Sequence, residues 1–473
     1  MLMNKDNYPE LLKYREYIGL QQMVGPLIYV QQIHNVGFNE LVEVNGSRGE
    51  KRIGQVLEAD RGAAVIQVFE GTSGLTLSNT SVRFRGEPLR ISVSRDMLGR
   101  VFNGLGRPLD GGPEPISRER WDVNGAPINP TARTYPTIYI RTGISAIDGM
   151  NTLVNGQKLP LFSGPGLPHN QVTAQIIRQA KIVGKDVNFV VVFAAMGVKH
   201  DIARYFIDNL RDSGVLENVV MFLSLADAPT VERLVTPRSA LTMAEYLAFH
   251  ENMHVLVVLT DMTNYCEALR EISIARGEIP SRKSYPGYLY SDLASLYERA
   301  GMVENATGSI TQVPILSMPN DDISHPIPDL TGYITEGQIV FDRDLFQRGI
   351  YPPIALLPSL SRLMKDGIGE GLTRGDHAHL ASQLFAAYAR VKDIRMLASV
   401  IGEEELSPLD QVYLKFGTEL ETRFIAQKET EERSIENTLD LGWEILSLLP
   451  RDELHRITDE EAQQYHHGSA ESL

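Results

Sequence analysis

The chain has 473 residues, too many for one hydrophobic core, and its 43% hydrophobic and 22% charged residues fit a globular protein of two or three domains. A formal net charge of −15, from 45 Lys and Arg against 60 Asp and Glu, repels phosphate backbones and argues against a nucleic-acid partner. The single cysteine, Cys266, excludes an intrachain disulfide and a thiolate metal cluster, and its helical setting TNYCEALREI reads as a buried structural thiol.

The opening stretch MLMNKDNYPELLKYREY carries too many charges for a secretory apolar segment. Residues 1–75 contain the short segments GPLIYVQQI, ELVEVNG, RIGQVLEAD and GAAVIQVFEG, rich in Val and Ile and punctuated by Gly, Asn and Asp. That spacing predicts a small β-barrel. In residues 76–355 the apolar runs KLPLFSG, NFVVVFAAMG, NVVMFLSLAD, HVLVVLTD and ITQVPILSM alternate with helical patterns at 170–181, 200–212 and 240–251. Strands apolar on both faces, separated by helices, predict a parallel α/β domain with ligands at the carboxyl ends of its strands. The longest apolar run, Phe189 to Val198, falls well short of the roughly 20 residues that span a bilayer. Membrane association is therefore expected only through partners. Residues 356–473 lose the strand pattern. Leu380, Leu384, Tyr388 and Val391 repeat at helical spacing, as do Leu409, Val412, Phe416, Leu420 and Phe424, and Ile435, Leu439, Trp443 and Leu446. Ser407-Pro408 is a helix start, and Thr458 with Glu461 has capping-box spacing. A helical bundle is expected. Two acidic runs, Glu403 to Glu405 and Glu429, Glu431 and Glu432, read as solvated surface.

The segment LPLFSGPGLPHNQVTAQIIRQA has the strand, Gly-rich turn and helix of a phosphate-binding loop. Counted from Gly164 through Gly166, the pattern G-x-x-x-x-G-K-[ST] places His169 at the second glycine, Asn170 at the lysine and Gln171 at the hydroxyl. Histidine lacks glycine's freedom at positive φ, asparagine has no charge, and glutamine poorly replaces a magnesium-binding hydroxyl. A helix N-terminus alone leaves only weak anion binding, so the segment reads as a tight turn without triphosphate chemistry. HVLVVLTD ends at Asp261, where phosphate-loop enzymes keep an acid for magnesium. Without the lysine and hydroxyl, a capping role is expected there. After NFVVVFAAMG come Val198, Lys199 and His200, with no water-positioning acid before Asp201. No metal site is expected.

The strings MLGRVFNGLGRPLDGG (97–112), RTGISAIDGMN (141–151), LFSGPGLPHN (161–170), LTDMTNYCEALREI (259–272), YPGYLYSDLASLYERAG (285–301), SMPNDDISHPIPDLTGYITEGQI (317–339) and PSLSRLM (358–364) extend across essentially the whole chain. They resemble the rotary ATPase family, specifically the B-type subunits of its archaeal/vacuolar (V/A-type) branch. The resemblance implies a barrel, a RecA-like phosphate-loop NTPase-type domain with a degenerate loop, and a helical domain, in the order read above. It implies a ring of alternating catalytic A and non-catalytic B subunits, contacting a central rotor stalk and peripheral stalk subunits. Such a ring sits at the cytoplasmic side of a membrane and couples ATP synthesis or hydrolysis to H⁺ or Na⁺ transport. Catalytic members keep a Gly-Lys-Thr loop and a Gly-Glu-Arg acid, where this chain has Asn170-Gln171 and Gly197-Val198-Lys199. The resemblance thus implies a non-catalytic chain with no cofactor of its own, and ATP or ADP with Mg²⁺ at the interface with the A subunit. Arg362 in PSLSRLM matches the arginine that B subunits present in trans to that nucleotide, a role suited to a planar, permanently charged guanidinium. Ser359 and Ser361 are expected to steady its loop at the cofactor-binding interface, which Tyr333 in LTGYITEG is expected to line. Tyr265 and Tyr288 read as packing residues. An autonomous ring ATPase would need an intact loop, an RNA translocase would need a basic channel, and a pure scaffold differs only in giving Arg362 no chemical role.

Overall fold

The computed structural model describes residues 15–182, 188–304 and 306–467. The charged opening stretch up to residue 14 lies outside them. The first domain is an antiparallel sheet of seven strands, with spatial order Arg15–Ile18, Ser81–Pro88, Glu40–Asn45, Lys51–Asp60, Ala63–Val68, Leu27–Gln31, Gln22–Val24. Its two edge strands are joined by only Gly19 to Gln21, so the sheet must curl until its edges meet. Gly19 makes that turn at φ 93°, a conformation costly for a side-chain-bearing residue. Alternation sends Ile28, Val42, Val44, Val56, Ile66 and Val82 inside, where all are fully buried. The strand Ser81–Pro88 pairs with both Arg15–Ile18 and Glu40–Asn45. The barrel therefore continues past residue 75 to Pro88. The turn-rich stretch EGTSGLTLSNT before that strand resembles a linker but is a loop within the barrel.

The central sheet runs Ile354–Ser361, Gly337–Phe341, Leu161–Ser163, Ser309–Ser317, His254–Thr260, Phe189–Val198, Val219–Leu225, Val101–Phe102. All neighbours on this path are parallel except the first pair. Each apolar run noted in the sequence supplies one of these strands. Phe189–Val198 explains why they read as continuous: Val191, Phe193 and Ala195 enter one core, while Val190, Val192 and Ala194 enter the other. Helices Thr230–Glu245 and Met262–Ala275 pack on the sheet, and His200–Asp212 packs on its strands as well. Helix Thr230–Glu245 begins ahead of the expected start at Ala240 and continues into a π-turn, Tyr246–His250. Pro237 inside it obscures the helical pattern in the sequence.

The edge strand Ile354–Ser361 carries the sheet beyond the boundary expected at residue 355. Pro358 masks it as a strand, and an edge position is where a strand tolerates proline. The helical domain follows, with His377–Ile401, Pro408–Glu419 and Ile435–Leu446 as its main helices. Leu380, Leu384, Tyr388, Val391, Phe416, Leu420, Phe424, Ile435, Leu439, Trp443 and Leu446 are buried and continuous with one core of the central sheet. The Ser407 hydroxyl accepts from the Asp410 N–H, and Thr458 and Glu461 form the full capping box. Among the described residues, no helix is long and apolar enough to cross a membrane.

Candidate functional site

The strand Leu161–Ser163 ends in the sheet's interior, and helix His169–Gln179 opens after a short turn, as a phosphate loop requires. Gly166 takes φ 80°. His169 is already helical, so the positive φ expected at the second glycine position falls on Gly166, and a histidine fits without backbone strain. Its ring is the obstacle instead. His169 Nδ1 lies 3.3 Å from Ser163 Oγ, and burial pushes the imidazole pKa down despite Asp261 nearby. The ring is thus held neutral under the loop. Asn170 is half-buried and Gln171 exposed. Neither brings a cation to the turn.

The nearest cation is already committed. Arg343 Nε donates to Asp321 Oδ2 at 2.6 Å, and its Nη2 donates to Asp321 Oδ1 and to the Pro165 carbonyl, both at 2.9 Å. The Asp321 carboxylate sits so close to Gly164 that any Cβ there would collide with it. The turn is latched by an internal anion and its own arginine. Residues 321 and 343 are far from the loop in sequence, and although Asp321 falls in the string 317–339, nothing there pairs it with Arg343.

Asp261 caps the helix Met262–Ala275, as expected. Its Oδ1 accepts from Thr263 N at 2.8 Å and Ser317 N at 3.2 Å, and its Oδ2 from Ser317 Oγ at 2.6 Å. Lys199 and Asp201 are exposed at the start of helix His200–Asp212, and no carboxylate precedes them on the strand. Cys266 is fully buried, and burial pushes its thiol pKa up. Tyr265 is buried as a packing residue, and Tyr288 is 36% exposed at a helix start. No group of acidic, histidine or cysteine side chains among the described residues suits a metal.

Arg362 follows the edge strand and is exposed. Its N–H donates to the Glu336 carbonyl at 3.0 Å. Its guanidinium has no hydrogen bond or ion pair among the described residues. Because Ile354–Ser361 is antiparallel, Ser361 pairs with Gly337, at the amino end of the parallel strands. The loop after Ser163 lies at their carboxyl end. Between the level of Lys158, bonded to Glu336, and Gly164 the strand rises about 20 Å at roughly 3.3 Å per residue. Arg362 and the chain's own loop therefore occupy opposite ends of the sheet.

An ion cluster around buried Lys158, with two half-buried carboxylates, fixes the arginine's support. Lys158 Nζ contacts Glu336 Oε1 at 2.8 Å and Glu298 Oε1 at 3.1 Å, and Glu336 Oε2 accepts from the Lys158 N–H at 2.7 Å. Ser361 and Ser359 lie just before the arginine on the edge strand. Both are buried; Ser361 Oγ donates to the Thr152 carbonyl at 2.8 Å, and Ser359 Oγ to the Ala355 carbonyl at 2.6 Å. They anchor the strand from within. Tyr333 is 79% exposed near the end of helix Pro326–Ile334, and Leu360 is 50% exposed one residue before Ser361.

The acidic run at Glu429 to Glu432 differs from the solvated surface expected of it. Glu432 bridges Arg141 at 2.7 Å and Lys181 at 2.8 Å, and Glu429 accepts from Tyr205 at 2.8 Å, tying the helical domain to the core. Beside it an open cleft of about 1000 Å³ runs from Gln171 past Tyr351 to Lys428. Glu403 to Glu405 are exposed as expected.

Comparison with known proteins gives the same three-part division. The nucleotide-binding domain of the ATP synthase alpha/beta family matches residues 143–361, the beta-barrel domain of that family matches 20–86, and the C-terminal domain of V and A type ATP synthase matches 366–466. The chain is 62% identical to a V-type ATP synthase beta chain of Halothermothrix orenii over 455 residues, 96% of this chain and 98% of that one. It is 60% identical to V-type ATP synthase beta chain 2 of Treponema pallidum over 449 residues, 95% and 94% of the two chains. Its fold is similar to a solved ATP synthase subunit, NeqB from Nanoarcheaum equitans, at 43% identity and a TM-score of 0.72, covering 90% of this chain and 100% of that one. The chain belongs to the ATP synthase alpha/beta family, among the beta (B) chains of its V/A-type branch.

Proposed function

We propose that this chain is a non-catalytic B subunit in the head of a V/A-type rotary ATP synthase or ATPase, and that it donates Arg362 in trans to the nucleotide site of a catalytic A subunit. It alternates with that subunit in a ring bearing on central and peripheral stalks, at the cytoplasmic side of a membrane. ATP synthesis or hydrolysis there is coupled to H⁺ or Na⁺ transport. The chain holds no cofactor of its own; ATP or ADP with Mg²⁺ binds at the shared interface.

The observation that carries this reading is Arg362 itself: exposed, unpaired among the described residues, and at the end of the sheet opposite the chain's own loop. It is too far away to serve that loop. A guanidinium offered to a neighbour would place planar, multidentate donors against phosphoryl oxygens and stabilise charge as it shifts during transfer. Lys158, Glu336 and Ser361 hold the backbone from which it projects, so only the side chain has to be ordered when the partner docks. The degenerate loop adds to the case, since lysine, hydroxyl and water-positioning acid are all missing. A pure scaffold would tolerate loss of the Arg362 guanidinium without loss of turnover.

The test is steady-state hydrolysis by the reconstituted complex carrying Arg362→Ala, with assembly checked in the same preparation. Turnover is expected to fall about 10³-fold. Arg362→Lys should recover only part of it, because an ammonium lacks the planar fork. Near-normal turnover with alanine would remove the chemical role.

A further inference from the structure

A cavity of about 540 Å³ lies at the seam between barrel and α/β core, sharing no residue with the loop at 164–171 or with Arg362. That volume is enough for a small organic ligand, and domain seams are where such sites form. Its barrel wall carries three amides, Asn39, Gln55 and Gln67. Gln55 and Gln67 are directly paired across neighbouring strands, and Gln55 Nε2 donates to Asn39 Oδ1 at 2.7 Å. Gln67 is different. It is 4% exposed, and its amide nitrogen is buried without a hydrogen-bond partner among the described residues. A buried donor left unpaired is costly, and an apolar side chain would fill that position without the cost.

The facing wall comes from the core. Asp292 accepts from the Tyr265 hydroxyl and from Arg238 Nη2, the latter at 2.8 Å. Arg276 pairs with Glu278 at 2.7 Å. The cations of the wall are thus matched by its anions, and an ionic ligand finds no free counter-charge. Leu234 and Leu269 add apolar surface between the polar groups.

We propose that this seam binds an uncharged heteroaromatic molecule bearing an adjacent hydrogen-bond donor and acceptor, read by the side-chain amide of Gln67. A glutamine amide offers the complementary pair, the same fork that reads the edge of an adenine base. The terminal torsion of glutamine is broad, so a small rotation turns the amide toward the ligand. The flat ring lies against the leucines, while the paired charges exclude nucleotides and other anions. The ligand bridges barrel and core, and its binding raises the melting temperature of the chain. This inference is independent of the role given to Arg362.

The experiment uses the full chain with adenosine and nicotinamide as probes, each at millimolar concentration, observed by saturation-transfer NMR. At least one probe is expected to receive saturation and to raise the melting temperature. Gln67→Leu removes the amide at nearly constant volume, and Leu234→Trp fills the cavity while leaving every amide in place. Each is expected to weaken binding at least tenfold, with folding verified by circular dichroism. Should Gln67→Leu fail to fold, Leu234→Trp decides. The proposal is overturned if neither probe binds, or if binding persists in a folded variant, as it would for a probe seated in the open cleft beside Gln171.

Discussion

At the turn after Ser163, chemistry rather than shape separates this loop from one that grips a triphosphate. The strand, the positive φ at Gly166 and the helix start are all in place. What is missing is a free cation, because Arg343 is spent on Asp321 and the Pro165 carbonyl. Because the Asp321 carboxylate still crowds Gly164 and the His169 ring still packs against Ser163, replacing Asn170 with Lys and Gln171 with Thr is expected to leave ATP affinity weaker than micromolar in the isolated chain. Adding Asp321→Ala should improve it further by removing the carboxylate beside Gly164. Titration calorimetry across the series checks this, and submicromolar binding by the unmodified chain would contradict it. The absence of lysine and hydroxyl was legible in the sequence because the motif is contiguous. The Arg343 latch was not, since it joins segments separated by the whole strand-helix alternation. Arg362 was legible only through its family string; its lack of an ion-pair partner among the described residues and its position across the sheet required the fold.

Among the elements, the long helix His377–Ile401 is fastened to the core by its first residue. His377 Nε2 donates to the Gly149 carbonyl at 3.0 Å, which leaves Nδ1 to accept from Thr373 Oγ1 at 3.0 Å. That arrangement needs a neutral ring, and burial pushes the His377 pKa down to about 4 from an ordinary 6.5. The folded state then binds fewer protons than the unfolded chain between those values. Its contribution is full above about pH 6.5, falls as pH drops, and is lost by about pH 4. Between pH 7 and 5 the chain should lose about 2 kcal/mol through this residue. Denaturant unfolding at both pH values tests it, and His377→Gln should flatten the difference; an unchanged slope would contradict the assignment. Periodicity predicted these helices well, because each buries one face at regular spacing. It failed where proline interrupts the pattern, inside Thr230–Glu245 and along the edge strand Ile354–Ser361, where tertiary packing overrides local preference. It also failed at the barrel's last strand, which follows a turn-rich loop and closes the sheet only through long-range pairing.

For the whole molecule, the two ends of the central sheet differ: a loop without lysine or hydroxyl lies at one, and an arginine unpaired among the described residues at the other. In the proposed function, such a chain works only beside a neighbour that carries a working loop. Native mass spectrometry of the mixed subunits is expected to show an alternating heterohexamer of equal stoichiometry, and a stable homohexamer that excludes the partner would contradict that. The central claim is that Arg362 acts on phosphoryl charge in the partner's site, and a transition-state analogue separates this from mere binding. In the reconstituted complex with Arg362→Ala, the affinities for Mg·ADP and for Mg·ADP with aluminium fluoride are measured side by side. The expected result is Mg·ADP binding within a few-fold of the unmodified complex and analogue binding weakened by about 10³-fold. Analogue binding as tight as that of the unmodified complex would contradict it.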